Sequence, residues 1–149
     1  MEENKGSTPQ YRDDMIRLEE AFRLLRKQLL AEWGKENIAS LGLTQARVLL
    51  ILSEAGPQKV SVLADMLFIT SGAVTGMADS LIRLGLIRRE RGESDRRVVM
   101  LEITEAGQQH VKAIKEKRIA IMERITTGLT DQEIHDLTGL LMKIVDSSH

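Results

Sequence analysis

The sequence predicts a mainly α fold with a small β-wing, a winged helix-turn-helix flanked by longer helices at both ends. Between Ser61 and Leu84 apolar residues fall into helical spacing twice, broken at Phe68-Ile69-Thr70. Directly behind them, turn-forming Gly92 to Asp95 separates two β-prone segments, which makes a hairpin. Outside that block run amphipathic stretches with more apolar surface than a small module needs for its own core.

Taken in order, residues 1–10 (MEENKGSTPQ) are expected to form a flexible tail. From about Gln10, Tyr11, Met15, Leu18, Phe22, Leu25, Leu29 and Trp33 recur at three- and four-residue steps, a long amphipathic helix ending near Gly34. Leu41-Gly42-Leu43 reads as a linker and Thr44 as the cap of a helix over Ala46 to Leu52, which stops at Ala55-Gly56-Pro57. Its unbroken apolar run, Val48 to Leu52, places it at the centre of the core. Lys59 and Val60 are placed on a short strand beside the wing.

Ser61 is the expected cap of the next helix, with Leu63, Ala64 and Leu67 on one face. Either Thr70 or Ser71 caps the helix after it, since either hydroxyl accepts an orphan backbone N–H. There Val74, Met77, Ala78, Leu81 and Leu84 form the buried side, leaving Ser71, Gly72, Thr75, Gly76, Asp79, Ser80 and Arg83 for solvent. Gly85 ends this helix, because glycine tolerates the left-handed conformation of many helix ends. Beyond the hairpin, Thr104 caps a helix running from Glu105 to about Thr127 with Val111, Ile114, Ile121 and Ile125 along it, and Gly128 breaks it. Thr130-Asp131-Gln132-Glu133 is a capping box opening a last helix, expected to bury Ile134, Leu137, Leu140, Leu141, Ile144 and Val145. Two arrangements cover these apolar faces: a two-fold dimer in which the end helices intertwine, or a three-helix bundle within one chain.

Composition narrows the function. The chain has 149 residues, 42% hydrophobic and 29% charged, ordinary for one globular domain, and its 3% aromatic content makes the core aliphatic. The absence of cysteine excludes a disulfide framework, a thiolate zinc site and a cysteine-based peroxide sensor. No apolar run approaches the ~20 residues of a membrane span and the acidic start is no signal peptide, so a cytoplasmic protein without membrane contact is expected. An enzyme is not expected: there is no phosphate loop, dinucleotide fingerprint or nucleophile motif, and Glu19-Glu20 falls on a solvated helix face. His110, His135 and His149 are scattered, so neither metal nor cofactor is expected. From Arg83 to Arg97, six arginines face Glu90, Glu93 and Asp95, a local excess of three in a chain of net charge −1. Positive charge beside an exposed helix suits a polyanion.

The residues then become specific. Leu81, Gly85, Leu86, Ile87 and Arg89 make the pattern L-x-x-x-G-L-I-x-R, followed by Asp95-Arg96-Arg97 and by Thr104 and Gly107 as T-x-x-G; Leu43-Thr44-Gln45 and Leu63-Ala64 precede it. Over residues 11 to 146 the chain resembles the MarR family of bacterial winged-helix regulators. The resemblance implies one domain over 11–149, with 43–104 as the DNA-binding lobe and 11–36 and 105–146 as dimerisation helices. It implies a transcriptional regulator, read here as a repressor, acting as a homodimer on a palindromic operator in double-stranded DNA and released by a small-molecule effector. Trp33 and the seven methionines are candidates to line an effector pocket, although methionine at helical spacing is more often core. The alternative is a winged-helix module that binds another protein through the same surface.

In the DNA reading the start of the helix at Ser71 enters the major groove, where Thr70, Ser71, Gly72, Thr75, Gly76, Ser80 and Arg83 meet phosphates or base edges. Arg88, Arg89, Arg91, Arg96 and Arg97 supply charge against DNA's one phosphate per ~1.7 Å. Many family members carry a long basic side chain where this sequence has Gly76, and often another at Ser80, so base reading is expected to shift to Thr75, Arg83 or DNA shape. Phosphate repels a carboxylate, so Asp95 is expected to brace a neighbouring arginine. The family pattern makes Arg97 its partner and leaves Arg96, with Arg91, for the minor groove; the reverse assignment of Arg96 and Arg97 stays open.

Overall fold

The structure, a computed structural model, describes residues 8–35, 41–92 and 94–148. The expected tail therefore lies outside the described residues up to residue 7, as do Glu93 and His149. Pro9 and Gln10, expected in that tail, already belong to α1 (Pro9–Lys35), with the Thr8 hydroxyl accepting the Tyr11 N–H at 3.2 Å. The elements that follow are α2 (Leu43–Ala55), β1 (Gln58–Lys59), α3 (Val60–Leu67), α4 (Ser71–Arg83), β2 (Ile87–Arg91), β3 (Val99–Ile103), α5 (Glu105–Ile125) and α6 (Asp131–Asp146). They divide into two compact units, one over Trp33–Arg118 and one formed by the residues up to Glu32 with those from Ile119 onward.

In the first unit α2 is the hub, with Ala46, Val48, Leu49, Leu50 and Leu52 all buried. It is longer than its sequence suggests, because Gly42 rather than Thr44 is the cap and Gln45 Oε1 accepts the Gly42 N–H at 3.0 Å. The helix stops where Gly56 turns to φ 77°. The three strands lie antiparallel in the order β1-β3-β2, with Gln58 opposite Leu101 and Ile87 opposite Ile103. Of the expected edge pair, Lys59 is in β1 but Val60 already starts α3. Consequently Ser61 is inside α3 and caps nothing; Lys59 precedes the helix without a side-chain cap. α3 packs against α4, and Leu63, Ala64 and Leu67 of the one and Val74, Ala78 and Leu81 of the other are all buried. Each buried Leu or Val contributes about 1.5–3 kcal/mol. Leu84, expected on this face, is half exposed because α4 ends at Arg83.

The end of α4 decides the geometry of the wing. Gly85, at φ 74°, lets its N–H reach Ile82 O and the Leu86 N–H reach Leu81 O at 2.9 and 3.0 Å, a Schellman closure. Leu86 O then accepts the Thr104 N–H at 3.0 Å, while the Thr104 hydroxyl donates to Gly85 O at 2.7 Å and accepts the Gly107 N–H at 3.1 Å. A Cβ on Gly107 would stand 2.2 Å from Leu86 O and 2.6 Å from Ile103 Cγ1. Glycine is thus required here by close approach, within a helix.

In the second unit α6 opens on the expected capping box, with Thr130 Oγ1 accepting the Glu133 N–H at 3.2 Å and Glu133 Oε1 accepting the Thr130 N–H at 3.0 Å. α5 closes two residues earlier than expected, and Arg124 pairs with Glu32 at 3.0 Å. The expected burial of Ile134, Leu137, Leu140, Leu141, Ile144 and Val145 does not occur within one chain: no residue of α6 is buried. Tyr11, Met15, Leu18, Phe22 and Leu25 of α1 are exposed likewise, so the described residues do not close an intramolecular bundle.

Gly107→Ala is expected to lower stability by about 1–3 kcal/mol through overpacking, against the usual gain of about 1 kcal/mol for Gly→Ala in a helix. Gly76→Ala, with nothing within 4 Å of the added Cβ, is expected to show that gain. Urea denaturation of both variants checks the contrast.

Candidate nucleic-acid interface

Thr70, not Ser71, caps α4, its Oγ1 accepting the Ala73 N–H at 3.1 Å. The first turns of α4 then present only small groups, since Ser71, Gly72, Thr75 and Gly76 are all exposed. Thr75 Oγ1 donates to Ser71 O at 3.0 Å, which leaves its oxygen available as an acceptor. Ser80 is half-buried and accepts from Arg83 Nη2 at 3.2 Å, while Arg83 Nε reaches Asp79 O at 3.4 Å. Arg83 therefore lies back along its own helix.

Side chains alternate along β2, so Ile87, Arg89 and Arg91 share one face and Arg88 and Glu90 the other. Arg89 sits opposite buried Leu101, on the α4 side, and its guanidinium grips the Asp79 carboxylate. Arg88 sits opposite Glu102 and pairs with it at 3.1 Å and with Glu90 at 3.1 Å. At the tip, the Gly92 N–H donates to Val98 O at 2.8 Å and the Val98 N–H to Asp95 O at 3.1 Å. Asp95 Oδ1 accepts both the Arg97 N–H at 3.0 Å and Arg97 Nε at 3.2 Å, so the carboxylate holds Arg97 and not Arg96. These bonds, the backbone one first, keep the Asp95 carboxyl below the ordinary carboxylate range. Among the described residues Arg91 and Arg96 have no ion-pair partner.

The sequence treats the arginines as one pool of charge, whereas the fold separates them. Arg88, Arg89 and Arg97 each face a carboxylate, Arg83 lies along its own helix, and Arg91 and Arg96 have no ion-pair partner among the described residues. Strand register decides this, and spacing along the chain does not give it. The partners Asp79 and Glu102 escape a sequence reading for the same reason.

A model of the MarR family matches residues 41–99. The HTH-type transcriptional regulator YpoP of Bacillus subtilis, whose activity is uncharacterised, is 31% identical over 130 residues, spanning 87% of this chain and 92% of its own. The chain belongs to the MarR family. MarR proteins are DNA-binding transcriptional regulators and not enzymes, and this MarR chain is one of them. The HTH-type transcriptional repressor MdtR of Bacillus subtilis is 29% identical over 136 residues, 91% of this chain and 86% of its own. Streptococcus pneumoniae FabT, solved in complex with DNA, superposes with a TM-score of 0.73 at 25% identity, covering 89% of this chain and 95% of that one. Among the described residues of this MarR protein no cluster of metal-ligating side chains occurs, and no single helix is long and apolar enough to cross a membrane.

The bracket at the wing tip has a measurable pH dependence. Asp95 is depressed from its ordinary value, so the bracket is complete above the usual carboxylate range and opens only as pH falls through the lowered value. Carboxyl NMR titration should find Asp95 below 3.8. Arg97→Ala should return it only part of the way, because the backbone N–H remains; full return, or none, contradicts the assignment.

Proposed function

We propose that this chain is a homodimeric repressor that binds a palindromic operator in double-stranded DNA. The observation that carries the reading is the open pair Arg91 and Arg96 at the tip of a wing whose β2 is tied to α4 through Arg89 and Asp79. In this reading α4 enters the major groove with Thr70, Ser71, Gly72, Thr75 and Gly76 at the duplex, and Arg91 and Arg96 reach the minor groove or its phosphates. Asp95 serves by holding Arg97 aside, while Arg88 and Arg89 contribute long-range charge more than contacts. The exposed stripes of α1 and α6 meet their copies in a two-fold partner, which presents two α4 helices about one DNA turn apart. FabT in complex with DNA and the repressor MdtR, both similar over most of this chain, support the reading.

Release by an effector belongs to the same proposal. A cavity of about 240 Å³ is lined by Trp33, Ala46, Leu50, Ile51 and Ile114, with Arg47, Arg118 and Glu54 among its polar groups. Its size and two guanidinium groups suit a small, single-ring organic anion.

Fluorescence anisotropy against genomic operator fragments at several salt concentrations tests the DNA reading. Binding should weaken steeply with salt, and Arg91→Ala with Arg96→Ala should reduce the salt slope by about one for each phosphate that is no longer neutralised. Salt-independent binding, or the double variant binding as the parent does, contradicts it and favours a protein-docking wing. Leu140→Glu with Ile144→Glu should yield monomers by sedimentation equilibrium.

A further inference from the structure

Phe68 is the most exposed large apolar side chain among the described residues, 92% accessible, in the turn between α3 and α4. Its backbone is left-handed, φ 56° and ψ 42°, the only positive-φ non-glycine conformation among the described residues. The turn needs that conformation: it lets the Phe68 N–H reach Asp65 O at 3.3 Å and the Ile69 N–H reach Ala64 O at 3.1 Å. Glycine or asparagine would adopt it with less strain. A bulky aromatic here therefore disfavours folding twice, through backbone strain and through apolar surface left in water, and at 92% exposure it gains little packing from the described residues to offset either.

The location suggests a use. Phe68 stands two residues before Thr70, the cap of α4. Up to Asp79 the exposed face of α4 carries nothing longer than threonine, and a Cβ on Gly76 would meet nothing within 4 Å. A duplex can lie close on such a face, which brings the rim residue Phe68 to the base edges. The apolar group that the major groove exposes is the thymine 5-methyl, and phenylalanine is one of the side chains that recognises it. Resting on the DNA reading above, we propose that Phe68 is a specificity-determining residue that packs its ring on a thymine methyl in each half-site.

The test uses the full chain and its selected operator, with each thymidine replaced singly by deoxyuridine, which removes only the methyl. One position per half-site should weaken parental binding about fourfold, the effect of removing one buried methyl-sized group. Phe68→Gly should bind less tightly by about sixteenfold, since both half-sites lose their contact, and be indifferent to that same replacement, while Phe68→Tyr keeps the sensitivity. The salt slope should not change, and the Tm of Phe68→Gly should stay or rise. The coupling between base and side chain decides, so reduced stability alone does not blur the result. Phe68→Gly binding as tightly as the parent, even with repression abolished through some protein contact, overturns the proposal. Deoxyuridine effects that persist in Phe68→Gly overturn it as well. Parental protein with no salt-dependent binding to any duplex sinks instead the DNA reading beneath it.

Discussion

Thr104 and Gly107 meet Gly85 and Leu86 at one point, and the presentation of the reading surface depends on it. The C-terminus of α4, the root of β2, the end of β3 and the start of α5 are joined there by hydrogen bonds of 2.7 to 3.1 Å through one hydroxyl, of Thr104, and two carbonyls, of Gly85 and Leu86. The space is so close that only a hydrogen fits at Gly107. A helix and a hairpin joined by flexible chain would each have to be ordered on a ligand separately. Fixed here, the angle between α4 and the wing is set on folding, and the entropy of ordering them is spent before any partner arrives.

Charge is organised on that frame by register. Arg89 to Asp79 and Arg88 to Glu102 are solvent-exposed pairs that contribute little stability each, about 0–1 kcal/mol. Their effect is on placement: they compensate Arg88 and Arg89 near the root, while among the described residues Arg83, laid along α4, and Arg91 and Arg96 at the tip have no carboxylate partner. A surface with positive charge at the end of α4 and at the wing tip favours contact with a polyanion broad enough to touch both together.

Most of the architecture is legible in the sequence because it follows from local rules. Helical periodicity locates every helix, Gly85 and Gly56 mark two helix ends, and the capping box of Thr130 and Glu133 opens α6 as expected. Family resemblance supplies the order of elements and the MarR assignment. What the sequence does not reveal depends on non-local contact. Ser61 and Thr44 have the right chemistry for caps, yet strand β1 and Gly42 fix those helix starts two residues earlier. The partners of Arg88 and Arg89 follow from which residues stand opposite in the sheet, and no spacing rule gives that. Asp95 is legible as an arginine's partner from electrostatics alone; choosing Arg97 over Arg96 takes the family pattern. The apolar stripe of α6 is recognisable, but its expected burial is not met in one chain, since a helical period reports an apolar face and not what covers it.

If α4 and the wing act as one preset surface for a duplex, both must respond to DNA in a single step. Amide NMR shift mapping during titration with operator DNA reads that step residue by residue. The amides of residues 70–76 and of the wing tip around Arg91 and Arg96 should move together, at the same DNA ratio, while those of α2 stay in place. Movement of the wing without α4, or shifts confined to α1 and α6, would contradict a preset surface.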